Sequence, residues 1–125
     1  MSPSLNLLPG TKAGLRSAQA STSFYWIPSA IDFPGVDSVL GDGEKNLYAL
    51  QATNADSHKS PIDGLCEVWK RVDKDLRQSC SWNFVAVADT AETAQKLLDS
   101  FSQDLMNVRL GRKKVPVKTW ACVLR

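Results

Sequence analysis

A chain of 125 residues, 43% hydrophobic and 22% charged, holds enough material for one core without disulfide or metal staples. No apolar stretch approaches the roughly 20 residues of a membrane span, and Met1 to Gly10 lacks the basic start and apolar run of a secretory signal. A net charge of +2 is too small to name a partner by itself.

The distribution of charge says more than its sum. Residues 1–31 carry Lys12 and Arg16 and no acid, and residues 109–125 carry Arg109, Arg112, Lys113, Lys114, Lys118 and Arg125, again with no acid. All 13 carboxylates lie between Asp32 and Asp104. A basic end of this kind suits phosphate contacts, and equally suits a solvated turn and an edge strand guarded by lysine. Cys66, Cys80 and Cys122 form no CxxC pair, and His58 is the only histidine, so there is no zinc pattern. The thiols are expected to be buried and reduced.

In chain order, residues 1–20 are rich in Ser, Ala, Gly and Pro and read as a loose arm with a short helix near Lys12–Ala18. Ser23–Ile27 is a compact aromatic and β-branched run, stopped by Pro28, and predicts a first strand. Val36–Leu40 and Leu47–Thr53 flank the polar turn Gly41–Lys45 and predict a hairpin. Apolar residues on both of its faces predict a sheet covered on both sides. Ile62, Leu65, Trp69, Val72 and Leu76 recur at helical spacing and predict one helix from Ser60 or Pro61 to Ser79.

Trp82–Val87 predicts a fourth strand. Asp89 or Thr90 caps a second long helix with Ala94, Leu97, Leu98, Phe101 and Leu105 inward, broken off by Gly111. Val115–Leu124 predicts a fifth strand, placed at an edge by Pro116. The order β-β-β-α-β-α-β implies an antiparallel front hairpin followed by parallel strands, with helices packed on a mixed sheet. Trp26, Trp69, Trp82 and Trp120 are all expected in the core, since they fall on strand runs or on an apolar helix stripe.

The hairpin carries the candidate chemistry. With the turn centred on Gly43, Asp37 sits opposite Ala49, with Gln51 its diagonal neighbour roughly 7–8 Å away on the same face. Thr53 follows on the face of Gln51, and His58 comes shortly after. Simpler roles exist for each: a backbone hydrogen bond for Asp37, a strand-tying buried amide for Gln51, an ordinary strand position for Thr53, a solvated loop position for His58.

The segments Tyr25-Trp26-Ile27-Pro28, Phe33-Pro34-Gly35-Val36-Asp37-Ser38-Val39-Leu40, Leu47-Tyr48-Ala49-Leu50-Gln51-Ala52-Thr53 and the following His58 resemble the C-terminal domain of Crinkler-type effectors and retrotransposon hot spot proteins. That family is placed in the PD-(D/E)XK superfamily. The resemblance implies that residues 1–125 form one restriction-endonuclease-like α/β domain with a mixed sheet of about five strands. It implies cleavage of nucleic acid assisted by Mg²⁺ or Mn²⁺, with Asp37 and Gln51 as metal ligands and Asp37, Gln51, Thr53 and His58 as the catalytic set. Hard oxygen ligands suit such ions, and a bound metal lowers the pKa of the attacking water.

The site departs from the superfamily's pattern at two positions, because Gln51 stands for the second acid and Thr53 for the lysine. The implied partner is DNA, gripped by Lys12, Arg16, Lys59, Arg112, Lys113 and Lys114, in the nucleus or cytoplasm of a host cell. The alternative is a non-catalytic module of the same fold that binds nucleic acid or a host protein without cutting. A third alternative owes nothing to the resemblance: an interaction domain that recruits a partner along an exposed strand edge.

Overall fold

The computed structural model describes residues 6–29, 35–53 and 60–124. The chain begins with β1 (Asn6–Leu8), α1 (Lys12–Arg16), β2 (Ser23–Trp26), β3 (Ser38–Asp42) and β4 (Asn46–Ala52). Then come α2 (Pro61–Arg71), α3 (Lys74–Ser79), β5 (Ser81–Ala88), α4 (Ala91–Ser100) and α5 (Ser102–Met106). It closes with β6 (Arg109–Leu110), β7 (Lys113–Lys114) and β8 (Val117–Val123). Six strands make one mixed sheet in the order β1-β2-β3-β4-β5-β8, and β6 and β7 form a separate short hairpin. β3 is antiparallel to β2 and β4, whereas β4, β5 and β8 run parallel. The order of the five expected strands and the sense of their pairing agree with the sequence. The strand β1, parallel to β2, was not expected in the N-terminal arm.

Each expected long helix is two helices. Ser60 caps α2 by accepting the Ile62 N–H, and Pro61 opens its first turn. At Val72 and Asp73 the backbone turns extended, and α3 restarts at Lys74. The break frees carbonyls at the end of α2, and the Arg77 guanidinium donates to two of them, Trp69 O at 2.7 Å and Lys70 O at 2.9 Å. Thr90 caps α4 through the Thr93 N–H, and Phe101 separates α4 from α5. Gly111 does not end a helix. It adopts φ +67° at the turn between β6 and β7, a conformation open to glycine.

Register and burial place every helix on one side of the sheet. Side-by-side residues share a face, so Phe24, Trp26, Val39, Leu47, Ala49, Trp82, Phe84 and Ala86 form one surface, and all are at most 2% exposed. Phe24 lies against Gly41, where an added Cβ would come within 2.2 Å of the ring. The α1 segment reaches this surface through the Trp26 Nε1–H, which donates to Thr11 O at 3.0 Å. α2 reaches it through Trp69, whose ring centroid is 5.2 Å from that of Trp82. α4 and α5 approach Val117 and Thr119, on the same side of β8.

The opposite face carries Leu7, Tyr25, Leu40, Tyr48, Leu50, Val85 and Trp120, and no described helix covers it. The expectation of a sheet covered on both sides is therefore corrected among the described residues. The parallel steps from β4 to β5 and from β5 to β8 advance in one direction, so right-handed crossovers put both helical layers on one face. Trp120 is accordingly 51% exposed, not in the core, and its Nε1–H donates to the buried Asn83 Oδ1 at 3.0 Å. The thiols also differ from expectation: Cys66 and Cys80 are half-buried and Cys122 is exposed.

Among the described residues no helix is long and apolar enough to cross a membrane.

The hairpin register differs by one residue per strand. Ser38 pairs with Leu50 and Val39 with Ala49, and the strands close on the short loop 43–45 between Asp42 and Asn46. The loop is shorter than expected because Asp42 folds it. The Asp42 carboxylate accepts the Glu44 N–H at 2.8 Å, the Asn46 N–H at 3.1 Å and the Asn46 side-chain amide at 2.7 Å, while Lys45 takes a positive φ of 65°. Val39, not Asp37, thus pairs with Ala49; the ladder ends at Ser38–Leu50, and the Asp37 N–H turns back to Leu50 O, the carbonyl of the residue already paired with Ser38, so the regular alternation stops short of Asp37.

Candidate functional site

Asp37 stands just before β3 and acts as an extension of it. Its N–H donates to Leu50 O at 2.8 Å, and its carboxylate Oδ2 accepts the Ala52 N–H at 2.6 Å. The side chain thus takes the ladder position that a backbone carbonyl would fill, and Asp37 stays exposed. Gln51 is 5% exposed and aligned with Ala86 of β5 on the helix-covered side. Thr53 is half-buried one residue past β4, and its N–H continues the parallel ladder to Val87 O at 2.8 Å. Asp37, joined to Ala52, and Gln51 both lie at the C-terminal end of β4, the first open to solvent and the second buried. His58 and Lys59 lie outside the described residues.

As a cation site this pair is thin. Mg²⁺ and Mn²⁺ favour several hard oxygen donors. Here one carboxylate has an oxygen already engaged by a backbone N–H, and the second donor is a neutral amide in the core. Among the described residues no group of three His, Cys, Asp or Glu side chains gathers to complement them. The described donors do not by themselves fit such an ion.

A different part of the chain forms a cavity of about 640 Å³. It lies between the α2–α3 junction, the start of β5, the β6–β7 hairpin and the entry to β8. Arg77, Arg112, Lys113, Lys114 and Lys118 line it, with no carboxylate among the described lining residues. The last four are exposed and free to reorient toward a ligand. Three of the six residues expected to touch nucleic acid, Arg112, Lys113 and Lys114, therefore share one concave surface. Lys12 and Arg16, exposed on α1, take no part in it. Arg77 and Lys118 were not among the expected binders. Lys118 was legible in the acid-free stretch 109–125, whereas Arg77 reaches the cavity only because the helix breaks at Val72.

The aromatic wall of the cavity is Trp69 and Trp82. Trp82 is 1% exposed, and its buried Nε1–H has no acceptor among the described residues. Trp69 is half-buried, with the Arg77 guanidinium carbon 5.9 Å from its ring centroid. Cys80 also contributes. Burial above all, then Asp75 and Asp42, pushes its thiol up to about 11 against the opposing pull of Lys45, so it is neutral at physiological pH.

The two clusters sit at opposite ends of the parallel strands. Gln51 aligns with Ala86 and Leu47 with Trp82. Four residues along β5 correspond to roughly 13 Å. The acid–amide pair and the cationic cavity are thus separate surfaces.

A comparison of the chain with protein-family models, with curated proteins and with solved structures finds no match.

Proposed function

We propose that this chain is a nucleic-acid-binding domain of the restriction-endonuclease-like kind, working without strand cleavage. The observation that carries the reading is the cavity lined by Arg77, Arg112, Lys113, Lys114 and Lys118, with no Asp or Glu among its described lining residues. Cations grouped on a concave wall focus potential and attract phosphate. The fold assignment is supported by the element order and the mixed sheet. The Asp37 carboxylate holding Ala52 argues for a structural acid at that end of the sheet.

The test is a salt series. Fluorescence anisotropy with a short labelled DNA, run from about 50 to about 200 mM salt, should show affinity falling with a log–log slope of about 0.7–0.9 per phosphate neutralised. Absence of any binding at the low-salt end would contradict the proposal.

A second reading, metal-dependent nuclease, is favoured by one observation: the exposed Asp37 carboxylate accepts the Ala52 N–H, next to Gln51 at the end of β4. Its test is nicking of plasmid DNA with Mg²⁺ or Mn²⁺ by the wild type and Asp37→Asn. Nicking by the wild type that disappears in the variant would establish it.

A further inference from the structure

The cationic cavity is amphipathic. Trp69, Trp82, Leu110, Val115 and Pro116 share its lining with the five cations. A phosphate group alone gains nothing from apolar surface, whereas a base and sugar do. A volume of about 640 Å³ also exceeds what a phosphate fills and falls within the range of small-molecule sites. The half-buried Trp69 adds apolar surface to this wall, with Arg77, tied to Trp69 O and Lys70 O, placed over its ring. The Trp82 Nε1–H is a buried donor in the same wall whose acceptor is not among the described residues.

Charge narrows the ligand further. Arg112, Lys113, Lys114 and Lys118 all line this one cavity. That arrangement suits a concentrated charge, and a phosphomonoester carries about −1.5 to −2 at neutral pH against −1 for each diester of a continuous backbone.

Building on the nucleic-acid reading, we infer that the cavity takes one nucleoside monophosphate unit, with its phosphomonoester among Arg112, Lys113, Lys114 and Lys118 and its base against Trp69. Two sources carry this chemistry: a free 5′-mononucleotide and the 5′-phosphorylated end of a strand. No bond is made or broken.

The experiment compares a labelled single strand bearing a 5′-phosphate with the same strand bearing a 5′-hydroxyl. Both are titrated with the full chain by anisotropy, with a 5′-mononucleotide and inorganic phosphate as competitors. A parallel NMR titration follows the indole N–H resonances of Trp69 and Trp82. A phosphorylated strand that binds about tenfold tighter, equivalent to about 1.4 kcal/mol, is the expected result. That gain should vanish in Lys113→Ala/Lys114→Ala, and the mononucleotide should compete. If the mononucleotide binds and shifts both indole signals while the two strands bind alike, the inference stands with the free nucleotide as ligand.

Equal strand affinities with unmoved indole signals would overturn the inference and leave nucleic-acid binding in place. Competition by inorganic phosphate equal to that of the mononucleotide would remove the base from the site and overturn it as well. Failure of every probe to bind would overturn both this inference and the proposed function.

Discussion

Asp37 holds Ala52: its carboxylate Oδ2 accepts the Ala52 N–H at 2.6 Å, just past the last backbone pair of the β3–β4 ladder. The contact closes the end of the hairpin where the sheet passes from antiparallel to parallel pairing. Asp37→Ala should leave that N–H to water and lower stability by about 1 kcal/mol, a modest figure because the carboxylate is exposed. Asp37→Asn keeps an acceptor and should retain most of the stability. Urea unfolding checks this, with a lower midpoint and an unchanged slope for the alanine variant.

The cationic cavity makes a graded prediction. Lys113→Ala and Lys114→Ala should each weaken DNA binding and reduce the log–log salt slope by up to about 0.7–0.9 if the side chain contacts a phosphate. Both are exposed on β7, so thermal stability should stay within about 0.5 kcal/mol of the wild type. Lys12→Ala on α1, outside the cavity, should change neither slope nor affinity.

Cys80 supplies a pH dependence. Its thiol rises from the ordinary 9.0 to about 11 in the folded chain, chiefly through burial and then through Asp75 and Asp42. The folded state therefore favours the protonated thiol. Stability from this source is complete below pH 9 and is lost as pH rises through about 11, because the unfolded chain releases the proton first. Denaturation midpoints measured from pH 8 upward should fall across that window, and Cys80→Ala should flatten this part of the decline. At pH 8 a thiol reagent should label the exposed Cys122 well before Cys80.

Gly111 sets the hairpin that carries two of the cavity's lysines. Its φ of +67° and the Trp69 Nε1 atom 3.1 Å from the place of a Cβ both disfavour a side chain there. Gly111→Ala should cost about 1–2 kcal/mol and displace β6–β7, weakening DNA binding without removing any charge. Circular dichroism melting and the anisotropy assay together separate the two effects.

Much of this architecture was readable because periodicity marks burial. The largely apolar run Trp82–Val87 and the stripe of Ala94, Leu97 and Leu98 led directly to β5 and α4. What escaped depends on contacts between distant or short-range polar groups. The register of the hairpin turned on three hydrogen bonds to one carboxylate, Asp42, which a count of turn residues does not contain. The break at Val72 leaves the apolar stripe intact, so spacing alone cannot reveal it. β1 is three residues long, too short for alternation to register.

The candidate site was legible in part. Asp37 and Gln51 do lie at the same end of the hairpin, where Asp37 accepts the Ala52 N–H. That Asp37 would be exposed and Gln51 buried was hidden, since Gln51 lies on the one side of the sheet that the helices cover while Asp37 stands outside the ladder. The same one-sidedness exposes Trp120, whose strand pattern resembles that of a core residue. The cavity brings together the α2–α3 junction and the basic C-terminal stretch, regions some 35–40 positions apart. Only the basic half of it could be read from charge.

The most direct test of the central claim is an NMR titration of the isotope-labelled chain with a short DNA strand. The account predicts that backbone signals from Leu110 to Lys118 and from Arg77 to Trp82, with the Trp69 indole, move together and saturate at one affinity. Shifts confined to Asp37, Gln51 and Thr53, or to Tyr25, Tyr48 and Trp120 on the uncovered face, would contradict it.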